Sequence, residues 1–245
     1  MILKCVSVAT CAVCFLYTFY ILCNLTYFLS NHKENDEIEV AAEKDDSVES
    51  VLWLLIINMS LLSVFMLQHT LMASDFVKHL FCKMYMDYIE RSIYNVSSAM
   101  ALHLLLAQWQ IIPSMSLWKM NTSSNNTLWF IFTGIHVLAW SIIYSGCVMM
   151  DISELTGIKQ VYYKFSSRPS PMLMKSKELL RYYSHMRHPS FTGFLIILWI
   201  HPYMTIDRIL LATILTIYMA LMWTIDKEDY NYHASLVRRK QQELF

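Results

Sequence analysis

The sequence predicts an all-α fold: a polytopic helical membrane protein with about six membrane segments, the last two forming a short hairpin. Three observations predict it. Of 245 residues, 56% are hydrophobic and only 16% charged, with a mean hydropathy of +0.38, too apolar for a soluble domain of this length. Four long runs lack Lys, Arg, Asp and Glu. Only four Gly occur in the chain, with Met and Leu abundant, which argues against a membrane β-barrel and its frequent turn residues.

The four runs cover residues 5–29, 51–73, 92–112 and 128–150. Each is long enough to cross a hydrocarbon core of about 30 Å as a helix of about 20 residues. Two shorter runs follow, 190–204 and 209–225, separated by a break at His201-Pro202. The first would reach only roughly 22 Å at 1.5 Å per residue, so the two are read as a paired hairpin. No separate soluble domain or internal repeat is evident, and residues 1–245 read as a single transmembrane domain. The first run is too long for a cleaved signal peptide, and no small-residue cleavage site follows it.

Between the first two helices, residues 32–50 form an acidic stretch. It holds Glu34, Asp36, Glu37, Glu39, Glu43, Asp45, Asp46 and Glu49 against Lys33 and Lys44. Such a run reads as a disordered, solvated loop, and its acids lack the spacing of a calcium loop. Positive charge sets the orientation. Lys33, Lys44, Lys119 and Arg208 fall on one side, and all the other Lys and Arg on the opposite side. Both termini are therefore expected on the cytosolic or nucleoplasmic face, as is the loop 151–189. The sequons at Asn121 and Asn125 fall in a short loop on the lumenal face, where glycosylation is chemically available.

Polar side chains inside the apolar runs are costly: Asn58, Gln68, His69, Asn95, His103, Gln108 and His136. Interhelical hydrogen bonding is the reading favoured for them. The alternative is ligation of a haem or metal by His69, His103 and His136. Cys11-x-x-Cys14 has the spacing of half a zinc site without a second pair, so no residue is assigned to a metal. Cys5, beside Lys4, has the position of a palmitoylation site.

The loop 151–189 is too polar to span. Its first part, 154–163, is apolar enough to continue the fourth helix and then turn at Gly157. Its last part, 177–186, reads as a short interfacial helix with Leu179, Leu180, Tyr183 and Met186 on one face. Arg187 and His188 then precede Pro189, which suits the first turn of the next helix because it has no amide hydrogen to leave unpaired. Free amides beside a guanidinium would favour a carboxylate or phosphate. An equal reading pairs Arg187 with Asp226, Glu228 and Asp229, which lock the mouth of the hairpin.

Several segments carry a family resemblance: Gln68-His-Thr-Leu-Met-Ala73, Glu90-Arg-Ser-Ile-Tyr94, Glu154-Leu-Thr-Gly-Ile-Lys-Gln-Val-Tyr-Tyr163, Ser184-His-Met-Arg-His-Pro189 and Thr205-Ile-Asp-Arg-Ile-Leu-Leu211. They resemble the nurim family of multipass inner nuclear membrane proteins, in order, from about the second helix to the C-terminus. The resemblance implies residence in the inner nuclear membrane and adjoining endoplasmic reticulum. That family is distantly similar to the isoprenylcysteine carboxyl methyltransferases, whose Arg-His-Pro motif opens a hairpin that binds S-adenosylmethionine. Arg187, His188, Pro189 and Gly193 match the motif, and Glu228 stands where one of its paired acids would be. Phe191 replaces the usual Tyr, and no Gly follows Gly193.

Two functions are therefore expected to compete. The favoured one is a non-catalytic resident of the nuclear envelope whose partners are the lipid bilayer and other envelope or lamina components, with no catalytic residue and no cofactor. Its alternative is an S-adenosylmethionine-dependent methyltransferase acting on a lipidated or membrane-embedded substrate. It would hold the cofactor with Arg187, His188, Pro189, Gly193 and Glu228. Arg238-Arg-Lys240 is a topological anchor in this reading, and no direct nucleic-acid binding is expected.

Overall fold

The computed structural model describes residues 2–31, 48–122, 124–175, 190–222, 234, 235, 237, 238 and 240–242. Residues 32–47 of the acidic loop, the interfacial helix expected at 177–186, and Arg187, His188, Pro189 and Glu228 lie outside them. Three of the four long apolar runs form long helices: α1 (Ile2–Ser30), α2 (Val48–Ala73) and α5 (Asn126–Met149). Each is long and apolar enough to cross a membrane. Their outward faces are those of a protein solvated by lipid, with Leu16, Leu67 and Leu138 between 61% and 69% exposed. Hydroxyls on these helices do not need water. Thr10, Thr26, Ser60, Ser63 and Ser141 each donate to the carbonyl four residues back, at 2.8–2.9 Å.

After α2, Ser74 leads into α3 (Asp75–Lys83), and α4 (Glu90–Gln108) then packs against both α1 and α2. After α5 come a one-turn helix α6 (Ile152–Leu155), α7 (Ile158–Phe165) and a 3-10 turn at Pro171–Met174. α8 (Phe191–Trp199) lies against α5 and α9 (Ile206–Met222). The core gathers Leu29, Leu62, Leu105, Ala139, Trp140, Ile143, Ile197, Leu198, Leu211 and Ala212, one shared interior drawn from all the major helices.

Element ends depart from the sequence expectation where tertiary partners intervene. The helix expected over 92–112 stops at Gln108, because Trp109 turns extended (φ −60, ψ 127) and the Ile112 amide donates to Asp207. The run expected as a helix over 190–204 ends at Trp199. Pro202 has no amide hydrogen to continue the ladder, and residues beyond it form a strand. That strand, β2 (Tyr203–Thr205), pairs antiparallel with β1 (Ser116–Lys119), so the fold is nearly, not wholly, α. Trp118 lies opposite Met204 and Lys119 opposite Tyr203. Flanking bonds from the Met120 amide to the Pro202 carbonyl and from the Ile206 amide to the Met115 carbonyl, both 2.9 Å, extend the pairing. At nine residues α8 is only about 14 Å long, too short to cross a bilayer by itself. The continuation expected from the fourth helix breaks earlier than Gly157, at Asp151, whose φ is 63.

Candidate functional site

The polar residues inside the apolar helices find partners on other elements. Asn58, fully buried, donates to the Gln110 carbonyl (2.7 Å) and accepts from the Gln110 amide (2.9 Å), fixing the chain as it leaves α4. Gln68 donates to Ser97 Oγ at 2.9 Å. His69 meets the Tyr94 hydroxyl at 3.0 Å, and His103 meets the Tyr17 hydroxyl at 2.9 Å. His136 lies between Ser30 Oγ and the Ile200 carbonyl, 2.8 Å from each. Each of the three histidines expected from the sequence thus has its own partner set, and they do not converge on one point. Gln108 differs: its backbone carbonyl accepts from Gln110 Nε2 at 2.7 Å, and its side-chain amide bonds no other group among the described residues.

One polar assembly closes the bundle at the N-terminal end of α4. Asp151 caps α6 by accepting from the Ser153 amide (3.1 Å) and hydroxyl (2.6 Å), and its other oxygen faces Lys159 Nζ at 2.6 Å. The Lys159 hydrogen bond, then that from Ser153, hold the Asp151 carboxyl down at about 2. Glu154, 8% exposed, pairs with Lys175 Nζ at 2.6 Å. The carbonyls that end α6 turn to α4: Leu155 accepts from Asn95 Nδ2 (2.7 Å) and Arg91 Nε (3.2 Å), and Thr156 from Ser92 Oγ (3.1 Å). Gly157 makes this docking possible. Its φ is +89, and a Cβ there would meet Ser92 Oγ and stand 2.8 Å from the Ser92 amide nitrogen.

A second assembly lies at the opposite end, where α1 and α4 finish and α9 begins. It surrounds a cavity of about 440 Å³. Asp207, 1% exposed, accepts from Trp109 Nε1 (3.0 Å) and from the Ile112 amide (3.1 Å), so both oxygens are occupied. The next residue, Arg208, points to the end of α1 and donates through Nη2 to the Phe28 carbonyl (3.1 Å) and the Leu29 carbonyl (3.4 Å). These carbonyls belong to the last turn of a helix, which lacks internal donors and attracts a cation. His201, 4% exposed, lies between the Tyr203 carbonyl (2.8 Å) and the Asn31 carbonyl (3.3 Å). Sequence reasoning did not single out this assembly. Its signal was present: Asp207-Arg208, opposite charges at the opening of an apolar helix.

Of the residues assigned to a cofactor from the sequence, Gly193 is the one described. It is buried on α8 against α5, where a Cβ would stand 2.7 Å from the Ala139 carbonyl and 2.6 Å from Ile143 Cγ1. Glycine there allows close approach of two helices.

The chain is similar to a nurim homolog of Drosophila pseudoobscura pseudoobscura, with 37% identity over 242 residues, 97% of this chain and 94% of the relative. The chain belongs to the nurim family. Other members are the nurim homolog of Drosophila melanogaster, 33% identical across 94% of this chain and 92% of the relative, and nurim of Danio rerio, 39% identical across 76% and 68%. The likeness to the fly members of the nurim family extends further than the sequence motifs suggested, since 97% coverage leaves no room to omit α1. No family model and no solved structure matches the chain.

Proposed function

We propose that this nurim-family chain is a multipass protein of the inner nuclear membrane that acts by packing and anchoring among envelope or lamina components and performs no reaction of its own. In this reading α1, α2, α4 and α5 cross the bilayer, and α8 and α9 fold together as the last two segments. Both termini then face the nucleoplasm or cytosol, and β1 with β2 closes the lumenal end. One observation carries the proposal. Asn58, Gln68, His69, Asn95, His103 and His136 all bond groups on other elements, so these interior polar groups are committed to architecture.

The test joins location to chemistry. The full chain, tagged at either end, should concentrate at the nuclear rim and resist extraction by mild detergent, with both tags on one face by cysteine labelling. Calorimetry on the purified chain should give no heat of binding with S-adenosylmethionine. Saturable binding that Arg187→Ala or Glu228→Ala removes, together with methylation of a lipidated acceptor, would replace this reading with the methyltransferase.

A further inference from the structure

We propose that the cavity between the ends of α1 and α4 and the start of α9 binds an anionic amphiphile: a lipid or fatty acid whose phosphate or carboxylate pairs with Arg208 and Lys119. Three observations carry this. The first is an incompletely used guanidinium. Arg208 donates through Nη2 to the carbonyls of Phe28 and Leu29, while its Nε and Nη1 make no hydrogen bond among the described residues, and Arg208 lines the cavity. Nε–H and the Nη1 hydrogens lie on different edges of the guanidinium, and each offers a single charge-assisted hydrogen bond to an anionic oxygen.

The second observation is charge. Asp207 also lines the cavity and accepts from Trp109 and Ile112; its negative charge offsets that of adjacent Arg208, so the excess positive charge of the lining comes from Lys119. Lys119, exposed on β1, adds a second cation to the same lining. The third is depth and shape. Arg208 is bonded to the last turn of α1, a helix apolar enough to cross a membrane, which sets its guanidinium at one end of that apolar span. Tyr27, Phe28, Leu106 and Ile111 supply an apolar wall, and Tyr27 and Ile111 are exposed, which gives an acyl chain an exit to the bilayer. A soluble anion would not use that wall. A volume of about 440 Å³ lies within the usual range of roughly 300–1,000 Å³ for small-molecule sites.

Native mass spectrometry of the full chain in dodecyl maltoside tests this with four probes: dioleoyl phosphatidic acid, oleate, uncharged dioleoylglycerol and inorganic phosphate. One adduct per chain is expected with phosphatidic acid and with oleate. Dioleoylglycerol and inorganic phosphate should each be retained roughly tenfold less, in line with the loss of a charge-assisted hydrogen bond. Lys119→Gln should lower retention of both anionic lipids roughly three- to tenfold, and Arg208→Gln should remove it. Because Arg208 also holds α1, its variant is scored only if its melting temperature matches the parent; otherwise Lys119→Gln, on an exposed strand, decides. Retention of dioleoylglycerol equal to that of phosphatidic acid would overturn the proposal. So would Lys119→Gln without effect, or inorganic phosphate retained in place of the lipids.

Discussion

At one end of the bundle Asp207 is 1% exposed and gives its two oxygens to neutral N–H groups of Trp109 and Ile112. At the other, Asp151 is 38% exposed at its side chain and faces the ammonium of Lys159 at 2.6 Å. Both carboxylates organise chain segments just outside a long helix, yet by different means. Asp207 gathers elements remote in sequence, tying the exit of α4 to the entrance of α9, and does so with neutral dipoles from a buried position. Asp151 gathers its own neighbourhood, capping α6 and reaching a lysine eight residues on, in contact with solvent. A buried acceptor whose donors have no alternative is costly to remove, whereas a solvated ion pair is replaced by water at small loss.

The sharpest test removes the buried partner. Asp207→Ala leaves the Trp109 indole and the Ile112 amide without their acceptor, and the expected loss is roughly 2–5 kcal/mol, from two stranded buried donors. Thermal unfolding in detergent followed by tryptophan emission should show it as a large fall in melting temperature. A variant that melts with the parent would mean that water in the adjoining cavity replaces the lost acceptor.

Next in size is a change of backbone at the solvated end. Gly157→Ala forces a side chain into φ +89 and against Ser92, and should cost about 1–3 kcal/mol, while Gly134→Ala, with nothing within 4 Å of a new Cβ, should be neutral or mildly stabilising. If Gly157→Ala were as harmless as Gly134→Ala, the Leu155 and Thr156 carbonyls would not be docked on α4, and Asp151 would cap a loose loop.

These two tests also show what the sequence made legible. The apolar runs located α1, α2 and α5 to within a few residues, because a bilayer demands length and hydrophobicity and little else. Helix ends were less readable. α4 ends at Gln108 because Ile112 is needed by Asp207, which is 95 residues away, and α8 ends before a strand whose partner β1 lies in another loop. No local pattern encodes such pairings. The cavity was missed for the same reason. Asp207 and Arg208 are adjacent in sequence, and adjacent helix residues do not face one another. Their partners, Trp109 and Phe28, come from distant helices. Of the cofactor motif, Gly193 alone lies among the described residues, and its place is explained by the α8–α5 contact.

A smaller effect asks whether neutral hydrogen bonding at the Asp207 end is worth more than its count suggests. Asn58→Leu deletes both bonds to Gln110 from a fully buried site, and about 1–2 kcal/mol is expected, since interhelical polar bonds contribute about 1 kcal/mol each. Pairing it with Asp207→Ala in a double-mutant cycle sharpens the point. Both residues hold the stretch 109–112, so the losses should be less than additive. Strict additivity would separate Asn58 from the Asp207 assembly.

The smallest effect belongs to the solvated pair, and its sign is fixed by the direction of the shift. Lys159, then Ser153, holds the folded Asp151 carboxyl at about 2 against an ordinary 3.8. The unfolded chain therefore takes up this proton first on acidification. The stabilisation is complete above pH 3.8, declines as pH falls toward about 2, and is absent below. Lys159 is shifted upward by the same hydrogen bond, so its share persists below the ordinary 10.5 and fades only as the pH rises through the raised value. Between these limits the pair should leave stability flat. Lys159→Met should lower the melting temperature at pH 5 by the same amount that it removes from the acid limb, with little change where Asp151 is protonated, and exposure keeps both effects small. Melting temperatures at pH 5 and pH 2.5 for parent and variant suffice. Parallel losses in both would show that Lys159 does not hold the Asp151 proton off, and the contrast between the ends would then rest on burial alone.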